Sequence, residues 1–178
     1  MGDLGPTELR LMQGLAQQVT ALRPELVNGE ATVGELAWVW AKDFDALNQF
    51  WRHRLWLVDD RLAAWAWVYL PYGVPRSDGK LLEVKAANLI WQVHPGRPEL
   101  LAEILDWYDD VAGDVDRLLT VQAADVQARA SVAAHGYAFD AENRFGQRVL
   151  GAVQGTGAGR RAGSGAAQGF SVLRCPSA

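Results

Sequence analysis

Between residues 7 and 22 the hydrophobic positions fall on one stripe. Leu11, Leu15, Val19 and Leu22 are spaced four, four and three apart, the period of an amphipathic helix. Thr7 stands where an N-cap belongs, and Arg23-Pro24 stops the pattern. A loop through Asn28-Gly29 follows. Residues 36–40 read equally as a strand or as the end of a second short helix. Phe44, Leu47, Phe50 and Trp51 suit a helix over residues 44–53. Then the period changes. Residues 55–58, the polar trio Asp59-Asp60-Arg61 and residues 62–70 read as a β-hairpin. In its second arm Trp65, Trp67 and Tyr69 alternate with Ala64, Ala66 and Val68. Both faces are apolar, so this strand is expected to be central and covered on both sides.

Pro71 ends that strand, and residues 72–80 form a loop rich in turn formers. Residues 81–86 start another strand. Residues 89–93, LIWQV, are a clearer one, closed by His94-Pro95. Pro98 then begins the best helix of the chain, with Glu99 complementing its dipole. Leu101, Ile104, Leu105, Tyr108 and Val111 make its apolar stripe, opposed by Glu103, Asp106, Asp109 and Asp110. Gly113 ends it. Residues 117–122 are a strand. Asp125 caps a last helix to His135, with Gly136 as its C′ residue. Residues 137–139 are a short strand. Antiparallel strands lead and β-α-β units follow, which predicts a mixed α/β sheet with helices on both faces.

Composition divides this picture. All eight tryptophans lie between Trp38 and Trp107, and Trp38, Trp40, Trp56 and Trp91 fall in strand-like runs. From residue 149 to 169, Gly and Ala supply 12 of 21 positions with no aromatic. The first region can build a core, whereas the second has little to bury and much backbone entropy to lose. A chain of 178 residues suits one domain. The net charge of −4 argues against a nucleic-acid-binding protein. A single cysteine, Cys175, permits no internal disulfide and fits a reducing compartment. No basic start with an apolar core opens the chain, and no apolar run approaches the ~20 residues of a membrane span. A soluble cytoplasmic protein is the expectation.

Candidate chemistry is sparse. His53, His94 and His135 are isolated in sequence, so no metal-ligand spacing exists. There is no Gly-x-Ser-x-Gly elbow, and Cys175 has no base near it in sequence. The acids of the best helix read as its solvated face. His94 ends a strand at a strand-to-helix turn, where α/β sheets bind ligands.

The run from LWLVDDRLAAWAWVYLP through LIWQVHPGRPELLAEILDW to ASVAAHGYAF resembles the GNAT superfamily of acyl-CoA-dependent N-acetyltransferases. It looks closest to the N-terminal half of a tandem GNAT protein. The resemblance implies a splayed, mostly antiparallel sheet with helices on both faces, over residues 1–140. It implies acetyl-CoA as cofactor and a small-molecule amine as acceptor, with no nucleic acid or membrane as partner. The pantetheine arm would lie along residues 89–93, and the pyrophosphate at the start of the next helix. Trp91, Val93, His94 and Arg97 are the cofactor-binding candidates. The family's Arg/Gln-x-x-Gly-x-Gly/Ala motif maps onto Arg97, Leu100 and Ala102, so only its first and last positions match. Pro98 lacks an N–H, and Glu99 brings negative charge to a phosphate site. The family's thiolate-protonating tyrosine falls on Val132, so no catalytic residue is assigned. The resemblance therefore implies a degenerate domain whose partner is a second, catalytic GNAT domain.

The stretch VQGTGAGRRAG, residues 153–163, spells that glycine motif better than the expected position does. It lacks a helix to receive phosphates, because the following RRAGSGAAQG is glycine-rich. Residues 141–169 are accordingly read as a disordered Gly/Ala-rich linker. GC-rich coding DNA read out of frame gives the same composition. Residues 170–178, which begin FSVLR after Gly169, are expected to start a truncated second GNAT domain.

Overall fold

The computed structural model describes residues 4–26, 32–75, 78–139 and 170–175. Helix α1 (Pro6–Leu22) starts one residue before the expected cap, with Gly5 rather than Thr7 at the N-cap, and the Glu8 carboxylate accepts from the Gly5 N–H at 3.2 Å. The ambiguous stretch near Trp38 is helical. Helix α2 (Val33–Leu47) is capped by the Thr32 hydroxyl, which accepts from the Glu35 N–H at 3.2 Å. Trp38 and Trp40 therefore lie on a helix and not in a strand. Trp38 is exposed under the Lys42 ammonium, and the Trp40 indole donates to the Leu4 carbonyl at 2.9 Å. The helix expected over residues 44–53 is divided. It ends at Leu47, a short 3₁₀ turn covers Asn48–Phe50, and a strand begins at Trp51.

Strands β1 (Trp51–Val58) and β2 (Arg61–Tyr69) form the expected hairpin. Asp59 and Asp60 both have positive φ, 51° and 59°. That is the two-residue turn whose twist suits a hairpin, and aspartate tolerates it better than most side chains. The loop expected at residues 72–80 begins with a strand, β3 (Tyr72–Pro75), which pairs with β4 (Leu81–Val84), the strand expected at residues 81–86; Gly79 between them has φ +78°. β5 (Ala87–Val93) leads to helix α3 (Leu100–Ala112), which starts two residues after Pro98. β6 (Arg117–Gln122), α4 (Val126–Ala134) and β7 (Ala138–Phe139) follow. Asp125 caps α4 by accepting from the Ala128 N–H at 3.1 Å, and Gly136 sits at φ +94° as its C′ residue.

The main sheet runs β1-β2-β5-β6-β8-β7, where β8 is Phe170–Cys175. Every neighbouring pair is antiparallel except β5 and β6. Residues 170–178 were expected to open a second domain. Phe170–Cys175 pairs with β6 along six residues and with β7 along two, inside the same sheet. The physical reason is the far edge of β6. It offers a six-residue ladder that two-residue β7 could not satisfy, and an apolar strand of matching length fills it. The linker expected at residues 141–169 lies outside the described residues.

Strand β2 is central and covered on both sides, as its pattern demands. Trp65 and Trp67 pack with Met12, Leu15 and Leu36 of α1 and α2. Ala64, Ala66 and Val68 pack with Ile104, Leu105 and Tyr108 of α3 and with Val132 of α4. The small side chains of the second face let α3 approach closely. The large ones of the first fill the wider gap beneath α1 and α2.

Candidate functional site

The site is built where β5 and β6 part. The Ala87 N–H donates to the Asp116 carbonyl at 2.8 Å, so odd-numbered residues of β5 present their backbone groups to β6. The His94 N–H donates to the Ala63 carbonyl at 2.8 Å, so even-numbered ones face β2. Pairing with β2 runs the length of the strand to Val93, but pairing with β6 covers only Ala87, Asn88 and Leu89. Beyond Leu89 the two strands diverge. Trp91 and Val93 continue the odd series, so their N–H and C=O groups face an opening with no rung of β6 opposite. Residues 90–93 make that edge about 13 Å long.

Tyr108 ties the two strands together at the start of their paired segment. It is fully buried, and its hydroxyl reaches the first rung of the parallel pair. It donates to the Ala87 carbonyl at 2.6 Å and accepts from the Leu118 N–H at 3.0 Å. The sequence pattern showed Tyr108 only as part of an apolar stripe. A buried phenol demands a partner, and that was the available signal.

A cleft of about 50 Å³ opens beside the free edge. Trp91, Val93 and His94 line it from β5, Leu101 from α3, and Gln127 and Ser131 from α4. Its volume is far below the ~300–1,000 Å³ of a closed ligand pocket, so it is an open groove and not a closed pocket. Three of the four sequence candidates therefore come together here. Arg97 does not line the cleft. Its guanidinium turns back to the Glu99 carboxylate at 3.7 Å, with both side chains largely exposed.

Sequence reasoning missed Arg23, which enters the cleft from the end of α1. It lies 2.9 Å from Glu25 and 3.5 Å from Asp125. Burial pulls the Arg23 pKa down, but the hydrogen bond to Glu25 and the charge of Asp125 outweigh it and hold the pKa above its ordinary value. In sequence Arg23 was only the residue before a proline. Its pairing with Asp125 spans a hundred residues and leaves no local pattern.

The turn between β5 and α3 is closed on itself. The Gly96 N–H donates to His94 Nδ1 at 3.1 Å, and a Cβ on Gly96 would stand 3.2 Å from that nitrogen. The Arg97 N–H donates to the His94 carbonyl at 2.8 Å. The first three N–H groups of α3, those of Leu100, Leu101 and Ala102, donate to the carbonyls of Arg97, Pro98 and Glu99 at 3.1, 3.2 and 3.2 Å. These groups are the ones a helix N-terminus normally offers to an anion. Pro98 has none to offer. The N-terminus of α4 is likewise taken by the Asp125 carboxylate.

A second polar cluster lies at the other end of α3. Asp109 accepts from the Tyr137 hydroxyl at 2.8 Å, and Arg117 Nε and His135 Nε2 lie 3.0 and 3.2 Å from it. Burial first, then the hydrogen bond to Asp109 and its charge, push the Tyr137 phenol well above its ordinary pKa of 10.0. Among the described residues no cluster of His, Cys, Asp and Glu forms a metal site, and no helix is long and apolar enough to cross a membrane.

Solved structures share this architecture. A GNAT-family acetyltransferase from Streptococcus pneumoniae aligns with a TM-score of 0.56 at 12% identity, over 98% of this chain and 96% of that one. The ribosomal-protein-S18-alanine N-acetyltransferase of Escherichia coli gives 0.56 at 14% identity, over 99% and 92%. The yncA protein of Salmonella typhimurium, solved with its cofactor acetyl-CoA, gives 0.53 at 11%, over 98% and 91%. No protein-family model matches the sequence, and the comparison with curated proteins finds no relative. At these identities the likeness is one of fold, and the chain has the GNAT fold.

The acetyl-CoA that this fold implies can be tested against the residues present. The free edge at Trp91 and Val93 suits an amide-bearing arm. The turn before α3 does not suit a diphosphate, because five of its N–H donors are already bonded within the chain.

Proposed function

We propose that this chain is a degenerate GNAT domain that does not itself transfer acetyl groups. It serves as a non-catalytic module packed on a catalytic GNAT domain of an N-acetyltransferase. The reaction of that class moves acetyl from acetyl-CoA to an amine. The observation that carries the reading is the self-bonded turn over His94 to Ala102, in which five N–H groups are already bonded within the chain. Val132 supports it, being buried in the core where the resemblance implies a proton-donating tyrosine. The phenols of Tyr108 and Tyr137 cannot substitute, since their hydroxyls are engaged at Ala87 and Asp109, away from the cleft.

The test is thiol release from acetyl-CoA by the purified chain, with polyamines and amino acids as acceptors. No amine-dependent release above the protein-free rate is expected. Turnover of about 1 s⁻¹ or more, the ordinary range of enzymes, would refute the reading.

A further inference from the structure

We propose that the outer edge of β1 docks an extended acidic segment of a partner protein, which joins the main sheet as a further strand. This edge lies on the other side of β2 from the cleft, and the proposal does not depend on the reading of the turn before α3.

The backbone comes first. β1 ends the main sheet, and among the described residues it pairs only with β2. The Leu70 N–H donates to the Phe50 carbonyl at 2.9 Å, so even-numbered residues of β1 bond to β2 and odd-numbered ones face outward. At Trp51 the outward groups are taken. Its N–H donates to the Asn48 carbonyl, and its own carbonyl accepts from the Arg52 guanidinium at 2.7 Å. The N–H and C=O groups of Leu55 and Leu57 have no partner among the described residues, and the Leu57 side chain is exposed. A strand edge in this state is completed by an added strand.

Charge then selects the occupant. Arg54 lies over the Trp56 ring, its guanidinium carbon 5.0 Å from the centroid, and Arg61 stands opposite Val58 across the hairpin. Trp56 and Val58 pack on the α3 side of the sheet, so both guanidinium groups belong to that face of the edge. Both arginines are exposed, and neither has a carboxylate partner among the described residues. A second copy of β1 would bring Arg52 and Arg54 again and no acid, so the edge is guarded against itself. A strand bonded to Leu55 and Leu57 turns every second side chain toward the arginine face. Carboxylates at alternate positions therefore meet Arg54 and Arg61.

The experiment uses the full chain, ¹⁵N-labelled, at low salt. Two end-blocked hexapeptides are the probes, one alternating valine with glutamate and one with glutamine in place of glutamate. The backbone amide resonances of Leu55 and Leu57 report the edge, and that of Trp91 reports the cleft. Saturable shifts at Leu55 and Leu57 are expected, with Trp91 unmoved. The glutamate peptide should bind roughly fivefold tighter, the scale of two exposed ion pairs, and the margin should shrink in ~0.5 M salt. Arg54→Gln combined with Arg61→Gln, both at exposed positions, should abolish the margin and leave the fold intact. Leu57→Pro removes one outward N–H and should weaken both peptides. Silence of Leu55 and Leu57 at several millimolar peptide, or equal affinity for the two peptides, overturns the proposal. So does a glutamate preference that survives the double substitution. A shift of these amides with protein concentration alone also overturns it, because the partner would then be a second copy.

Discussion

Removing the Tyr108 hydroxyl with Tyr108→Phe isolates the contact that holds β5 to β6. The ring stays, so packing against the α3 face of the sheet is conserved. Two hydrogen bonds are lost, one donated to Ala87 at 2.6 Å and one accepted from Leu118 at 3.0 Å. Each is worth about 0.5–1.5 kcal/mol net, and a buried carbonyl left without a partner costs about 1–3 kcal/mol. Direct closure of the Leu118 N–H onto the Ala87 carbonyl recovers part of this. A loss of about 2 kcal/mol is therefore expected. Urea unfolding measures it. With a slope of about 2 kcal/mol/M, the midpoint falls by about 1 M. The Leu118 amide should also exchange faster than in the unsubstituted chain. A loss below about 0.5 kcal/mol with unchanged exchange at Leu118 would show that the strands hold without the phenol.

The Tyr137 phenol gives a pH test. Its folded pKa lies above its unfolded value, so the neutral form is favoured by folding. That contribution is complete below about pH 9, and stability falls above about pH 10 by up to ~1.4 kcal/mol per pH unit. Urea unfolding from pH 8 to 11 should show the fall, and Tyr137→Phe should flatten it. Asp125→Ala removes the cap of α4, at a cost of about 1 kcal/mol in thermal or urea unfolding, while Asp125→Asn should retain most of it. Pro98→Gly combined with Glu99→Gln restores one N–H and removes one negative charge at the start of α3. Acetyl-CoA affinity should rise roughly fivefold by calorimetry, the scale of ~1 kcal/mol for an anion at a helix N-terminus. A change in S-acetylpantetheine affinity of the same size would count against the diphosphate as its cause.

Much of the sheet was legible from local pattern. The alternation of Trp65, Trp67 and Tyr69 with small residues reported a strand buried on both faces, and the structure buries Trp65 and Trp67 completely. The α2 region was harder. Trp38, Val39 and Trp40 have high strand propensity, but Leu36, Trp40, Phe44 and Leu47 recur at helical spacing, and burial of that stripe against α1 decides the outcome. Strand β3 was hidden because Gly, Pro, Ser and Asp dominate residues 72–80 and mask a four-residue strand, whereas its partner β4 was legible at residue 81. The place of β8 could not be read locally, since its partner lies about fifty residues earlier. His94 could be picked out because it ends a strand at a turn, and it lines the cleft with Trp91 and Val93, which the family resemblance singled out. Arg23 and Tyr108 were not, because each acts on residues remote in sequence.

One helix explains why the site has its two opposed properties. At its C-terminal half, α3 carries Tyr108, whose hydroxyl pins β5 and β6 at their first rung. Past that pin the α4 cap and the Arg23–Asp125 pair occupy the far end of β6, and the strands part. At its N-terminal end, Pro98 fixes a lead-in turn of 3₁₀ type that uses up the N–H groups of Leu100, Leu101 and Ala102. The same element thus opens a backbone edge and shuts an anion site. The two effects are separable because they lie at opposite ends of a helix of 13 residues, about 20 Å long. Loosening Pro98 should alter what happens to phosphate and leave the strand edge alone. Loosening Tyr108 should alter the edge and leave the phosphate donors as they are. If both substitutions changed binding of both halves of acetyl-CoA equally, the cleft would be one cooperative pocket, and the division of the site into a working edge and a closed turn would be wrong.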